Sequence, residues 1–194
     1  MKEDLNWLIG MIEGGGTFLI NICLRDGGFS IYPIFRFVLP EKNKDAIILI
    51  KNLLGFGKIE FKSNEILKKK GIVQNRYSYT VMGLNEAQKF IETFDETLFR
   101  TSKKEDFILW KEAVGIIKNY QHLTYDGFVR ICEIRDKMNT KQKRRNYKSK
   151  DWFLKQVKNN KNFFSEKNIQ KRKKTSMSIR RLNKLSLSAA KVIS

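Results

Sequence analysis

The stretch LIGMIEGGGTF, Leu8 to Phe18, constrains the fold more than any other part of the chain. Apolar residues at Leu5, Leu8, Ile9 and Ile12 recur at helical spacing behind Asp4, a residue suited to an N-cap, and Gly14, Gly15 and Gly16 supply a stop. A helix over Asp4 to Glu13 follows. A glycine in an exposed helix interior costs about 1 kcal/mol relative to alanine, and an ordinary glycine stop explains Gly14 to Gly16 but not Gly10. Gly10 and Gly14 are one helical turn apart, on a face where two backbones can approach closely. They are read as a helix-packing interface, with Glu13 the only charge in the stretch.

Beyond the glycines a strand is expected over about 16–25, a hairpin turn at Arg25 to Gly28, and a second strand through FSIYPIFRFV. Pro40 and Glu41 open a helix whose inner face is Ile47, Leu49, Ile50, Leu53 and Leu54, closed by Gly55 and Gly57. KIEFK and RYSYTVM alternate with period two and form another hairpin, after which Asn85 caps a helix through Phe90 and Phe94. The order is αββαββα, an α+β fold. Two more helices are expected, over 103–118 with Phe107, Leu109, Trp110 and Val114 inward, and over 125–138 after Thr124.

The composition shifts at Asn139, which divides the 194 residues into a folded domain over 1–139 and a basic extension over 140–194. Of the net charge of +19, the extension holds +16, 18 basic residues against Asp151 and Glu166, and the domain holds +3. Such a balance points to a polyanion, most often nucleic acid. Lys141, Lys143, Arg144, Arg145, Lys171, Arg172, Lys173, Lys174, Arg180 and Arg181 are candidate phosphate contacts, and Trp152, Phe153, Phe163 and Phe164 are placed to stack on unpaired bases. The core helices are expected to end before the extension begins.

Cys23 and Cys132 form no CxxC and the lone His122 completes no Cys/His cluster, so no structural zinc is expected. No apolar run reaches the roughly 20 residues of a membrane helix, so no membrane contact is expected. A preference for Lys, Asn, Ile and Phe over Arg, Ala and Pro suggests an AT-rich genome, as in organelles.

On these residues the chain resembles the LAGLIDADG homing endonucleases. LIGMIEGGG, Leu8 to Gly16, matches the nine-residue family motif in place, the αββαββα order is the family's fold, and RTSKKEDFILWKEAVGIIKNYQHLTYDGFVRICEIRDKMN is similar to the C-terminal helices of single-motif organellar members. The resemblance covers about residues 4–139. It implies that two such helices pack through their small residues, and that an acid at the motif's eighth position holds a divalent metal for phosphodiester hydrolysis. Gly15 stands at that position. Glu13, at the sixth, matches the acid that belongs more to the helix end, and is the one remnant. The polar residue that follows the family's second strand is replaced by Leu39, and the family's basic residue survives as Arg100 or Lys103. Neither glycine nor leucine can hold Mg2+ or activate water.

The family's DNA-facing sheet surface would carry Thr17, Leu19, Asn21, Cys23 and Arg25, then Ser30, Tyr32, Ile34, Arg36 and Val38, then Lys58, Glu60 and Lys62, then Arg76, Ser78 and Thr80. Asn21, Arg25, Tyr32, Arg36, Lys58, Lys62 and Arg76, with Arg100 and Lys103, are the nucleic-acid-binding candidates there. The surface is thinly basic for reading base edges.

The reading drawn from this is a non-cleaving descendant that binds RNA, rRNA within a large particle, as a mitochondrial ribosomal protein or an intron maturase, with no catalytic residue, metal or cofactor. A homodimer through Gly10 and Gly14 is the expected partner contact otherwise. The alternative is a site-specific homing endonuclease that cuts duplex DNA with Mg2+, including one whose acid was changed to Gly15 by design. A transcription factor of this fold is a third reading without dedicated support.

Overall fold

The first helix ends inside the run of three glycines, later than the sequence suggests. The computed structural model describes residues 2–25, 28–63, 75–138, 147–159 and 163–174, and there α1 runs over Lys2–Gly15, two residues beyond the expected stop at Glu13. None of Gly14, Gly15 and Gly16 has a positive φ, so nothing forces them out of the helical region. The end comes at Gly16, whose N–H donates to Ile12 O at 2.8 Å. A Cβ on Gly16 would lie 2.7 Å from that oxygen and 2.8 Å from the Phe35 ring, so only glycine fits where the helix meets the sheet.

β1 (Thr17–Arg25) and β2 (Gly28–Pro40) form an antiparallel pair from Thr17–Arg36 to Arg25–Gly28. The expected turn residues Asp26 and Gly27 lie outside the described residues. α2 (Lys44–Leu54) follows a short 3-10 turn over Glu41–Asn43, so it starts later than Pro40 suggested. It buries Ile47 and Ile50 and leaves Leu49 and Leu53 exposed, a narrower inner face than expected. Gly55 closes it at φ 72 with its N–H on Lys51 O, the left-handed position glycine fills without strain.

β3 (Lys58–Lys62) and β4 (Arg76–Met82) pair as expected, completing a four-stranded antiparallel sheet in the order β1-β2-β4-β3. α3 (Leu84–Thr93) is preceded not by Asn85 but by Gly83 at φ 91. Glu86 in its first turn accepts from the N–H groups of Met82 at 3.1 Å and Gly57 at 3.3 Å, so the turn before the helix is held from inside it. α4 spans Lys103–Lys118 and α5 Tyr125–Lys137, the latter capped by Thr124 Oγ1 accepting from Gly127 N–H at 3.2 Å. The four-stranded sheet and its helices form the α+β architecture expected from the sequence.

The core lies between the sheet and the helices. Phe18 is its centre, with Phe35, Phe90, Phe99, Phe107 and Trp110 rings around it at centroid separations of 5.1 to 6.4 Å. A second aromatic group lies under the start of β2. There Phe29 stacks on Phe128 at 4.7 Å and meets Phe153 at 5.5 Å and Phe163 at 4.8 Å.

Phe153 and Phe163 come from the basic extension, so the packing continues past the composition boundary at 139. α6 (Lys150–Lys158) and a helix over 166–174, here α7, belong to this region. α6 is fixed on α5 by Asp136, which accepts from the Lys150 N–H at 3.0 Å and from the Tyr147 hydroxyl. Phe153 and Phe163 are 1% and 2% exposed. They face Phe29 and Phe128 and not a nucleic acid, because burying a phenyl ring is worth about 1.5–3 kcal/mol. Trp152 and Phe164 are partly buried against the same core. Cys132 is buried in the core, and desolvation pushes its thiol up to about 12. Among the described residues no helix is long and apolar enough to cross a membrane.

Candidate nucleic-acid interface

Side chains alternate across a strand, and the registers decide which of them share the face turned away from the helices. One row crosses all four strands as Thr17, Arg36, Thr80 and Lys58. Toward the β1–β2 turn follow Leu19 with Ile34 and Met82, Asn21 with Tyr32, Cys23 with Ser30, and Arg25 with Gly28. In the other direction lie Val38 with Ser78 and Glu60, then Pro40 with Arg76 and Lys62. Asn21, Arg25, Tyr32, Arg36, Lys58, Lys62 and Arg76 therefore occupy one surface, with Glu60 the single acid on it among the described residues. Met82, 51% exposed, belongs there too. The alternation in RYSYTVM pointed to it, but the expected face stopped at Thr80.

In the central row Arg36 and Thr80 are direct partners across β2 and β4. Arg36 Nε and Thr80 Oγ1 are shielded from solvent without a hydrogen-bond partner in the structure, a cost of about 1–3 kcal/mol for each buried polar group left so.

α1 ends against this sheet. Leu8 and Ile12 are buried beneath it, while Trp7, Gly10 and Gly14 are exposed on its other side. A Cβ on Gly10 or Gly14 would meet nothing within 4 Å. Among the described residues nothing requires glycine at Gly10, where an alanine would cost less.

At the helix end Glu13 Oε1 accepts the backbone N–H groups of Arg100 at 2.5 Å and Thr101 at 2.8 Å. These bonds hold its carboxyl below the usual carboxylate range. They tie the motif to the segment before α4 and bring Arg100 beside the motif. Lys103 follows as the first residue of α4, its N–H on Thr101 Oγ1 at 3.3 Å. Leu39 lies on the opposite face of β2 from Arg36 and is partly buried against the core.

The divalent metal that the family implies does not fit these residues. Gly15 offers no side-chain donor, and its Cβ position is 2.6 Å from Phe37 Cε2. Phe37 is a core residue of β2, 3% exposed. Glu13 is committed to two backbone donors, and among the described residues no group of three or more His, Cys, Asp or Glu could hold a metal ion.

Of the candidates in the extension, Lys171, Arg172, Lys173 and Lys174 lie on α7, with Arg172 partly buried and the three lysines exposed. Lys141, Lys143, Arg144, Arg145, Arg180 and Arg181 lie outside the described residues.

A motif helix ending on a saddle of two antiparallel hairpins, backed by two further helices, defines a LAGLIDADG protein. The family model for the LAGLIDADG endonuclease matches residues 8–114, and the chain belongs to that family. It is 33% identical over 110 residues to a probable intron-encoded endonuclease of Neurospora crassa, covering 57% of this chain and 17% of that protein. The chain spans less than half the length of the curated relatives it matches. An archaeal intron-encoded homing endonuclease complexed with DNA shares the fold at a TM-score of 0.68 and 23% identity, covering 82% of this chain and 98% of that one. The LAGLIDADG meganuclease I-AabMI bound to uncleaved DNA matches at 0.59 and 27% identity, over 69% of this chain and 44% of that one.

Proposed function

We propose that the chain is a duplex-DNA-binding member of the intron-encoded homing endonucleases. It binds as two copies joined through the Gly10 and Gly14 faces of α1, and its own motif does not hold the metal that cleavage needs. The observation that carries this reading is the register. It sets Asn21, Arg25, Tyr32, Arg36, Lys58, Lys62 and Arg76 on one face, beside a helix whose glycine face is open.

The chemistry of that face suits a major groove. Arg36 and Asn21 can pair bidentately with guanine and adenine edges, and the exposed Met82 and Val38 can meet thymine methyls. Lys58, Lys62 and Arg76 suit phosphates, which position the protein without carrying sequence information. When bound, a divalent metal would polarise the phosphodiester and activate water. Here Gly15 supplies no side-chain ligand for it, and Leu39 cannot orient water.

The RNA-particle reading draws its positive support from the basic extension, and the packing of Phe153 and Phe163 into the core removes two of the aromatics offered to RNA bases. Similarity to intron-encoded endonucleases supports DNA instead. Intron-encoded relatives and the Lys-, Asn- and Ile-rich composition together favour a mitochondrial setting.

The test is selection of the purified chain on a randomised duplex library, followed by incubation of the recovered duplex with Mg2+. The expected outcome is sequence-specific binding by two chains per duplex without cutting. Specific, metal-dependent cleavage would overturn the non-cleaving part, and preference for structured RNA over every duplex would overturn the whole.

A further inference from the structure

β2 is longer than its neighbour. The last pair between β2 and β4 is Ile34 with Met82, beyond which Pro33 O accepts from Gly83 N–H at 3.1 Å, so among the described strands residues 28–32 have only β1 beside them. Backbone groups on such an edge need partners. At Phe29 the partner comes from far along the chain, because Arg172 Nη2 donates to Phe29 O at 3.4 Å. The same guanidinium donates through Nη1 to Phe163 O at 3.4 Å and lies 5.4 Å over the Phe163 ring. Burial holds its pKa below the usual arginine value. A Cβ on Gly28 would lie 3.0 Å from both Cζ and Nε of Arg172, so glycine at 28 admits the guanidinium.

This contact fixes where α7 sits. Gly28 shares its face with Ser30 and Tyr32, so a guanidinium lying against the Cβ side of Gly28 is at the rim of the proposed DNA surface, next to Arg25. A second hold is Lys173, whose Nζ is 5.5 Å over the Tyr120 ring. Ile169 and Arg172 are partly buried, whereas Lys167, Lys171 and Lys174, spaced i, i+4, i+7, are exposed along one side of the helix.

We infer that α7, held by Arg172 at the turn end of the β1–β2 hairpin, is an accessory arm that grips the phosphate backbone of duplex flanking the bases read by the sheet. The inference rests on the DNA-binding reading above. A row of lysines suits this role because an ammonium is a point charge without base preference, so the arm adds affinity and length of contact but no sequence discrimination. Arg172 acts as a positioning residue and does not itself touch phosphate.

The experiment uses the full chain and the duplex recovered by selection, with hydroxyl-radical footprints and binding isotherms over a salt series. The variants are Lys167→Gln/Lys171→Gln/Lys174→Gln and, separately, Arg172→Met. The triple variant is expected to keep the central footprint and base preference and to lose protection at the outer flanks. Its log-log salt slope should be shallower by about 2.7 per chain, three contacts at about 0.9 each. Arg172→Met should lose the same flank protection although its lysines remain. If it fails to fold, the surface triple variant still decides. Unchanged flanks and slope in the triple variant would overturn the arm and leave the DNA reading intact. A wild-type chain that binds no duplex would overturn both. Loss confined to binding of single-stranded RNA, with duplex binding unmoved, would overturn the arm in favour of an RNA contact.

Discussion

The ring of Phe37 holds the place that a side chain on Gly15 would take, its Cε2 2.6 Å from the Cβ position. The missing acid is therefore matched by a core residue of the adjoining strand. Gly15→Asp should be destabilising by about 1–3 kcal/mol, the usual cost of forcing extra atoms into a packed site, and should restore no Mg2+-dependent cutting. Adding Phe37→Leu should recover part of the stability. Urea unfolding of the single and double variants, with plasmid nicking assays, checks both points; cutting by Gly15→Asp alone would defeat the prediction.

Gly10 separates folding from pairing. With nothing within 4 Å of its Cβ position, Gly10→Ala should raise the stability of the isolated monomer by about 1 kcal/mol. Gly10→Leu should fold as well and prevent the helices from approaching, leaving monomers in sedimentation equilibrium. A Gly10→Leu chain that still pairs would show that α1 is not the interface.

Glu13 predicts a pH dependence. Its carboxyl is held below the usual carboxylate range by the Arg100 and Thr101 N–H groups. Its stabilisation is thus fully present above the unfolded pKa and is lost as pH falls through the lower folded value. Glu13→Gln should lower the melting temperature at neutral pH and make stability less steep between neutral pH and about pH 3. Thermal melts of both proteins across that range provide the comparison; parallel curves would exclude a role for the charge.

Arg36 stands in the middle of the face, opposite Thr80. Arg36→Ala should cost about 1–3 kcal/mol of duplex affinity and relax preference at one base position, whereas Lys58→Ala should weaken binding to all sequences alike. Repeating the selection with each variant distinguishes them. A uniform loss in Arg36→Ala would make it a phosphate contact.

The core reaches into the basic extension, so truncation there should be felt by the whole fold. Phe153→Ala should cost about 3–5 kcal/mol, because the ring is buried against Phe29 and Phe128. A chain ended after Asn139 should melt earlier and less cooperatively than one ended after Lys174. Equal melts for the two would show that α6 and α7 add nothing to the fold.

The sequence by itself determined the α+β order and which side chains alternate onto the sheet face, because strand periodicity and turn residues are local properties. It also determined that the eighth motif position carries no side-chain donor, since Gly15 is a matter of identity alone. Helix limits were less legible. Gly14 and Gly15 read as a stop, but neither takes the positive φ that would end a helix, and the helix ends at Gly16, where Ile12 O and Phe35 crowd the Cβ position. Leu49 and Leu53 looked inward by spacing, yet α2 packs on the core through Ile47 and Ile50, with Leu54 partly buried. Only the tertiary structure decided that Phe37 fills the space beside Gly15, that Glu13 ties α1 to Arg100, and that Arg172 closes an edge of β2. Each of these joins residues far apart in the chain, where local propensity carries no information. The same holds for the extension, in which charge marked a boundary at 139 that the burial of Phe153 and Phe163 crosses. Net charge reports what a segment offers to solvent and partners, while the limits of a core are set by where apolar rings find one another.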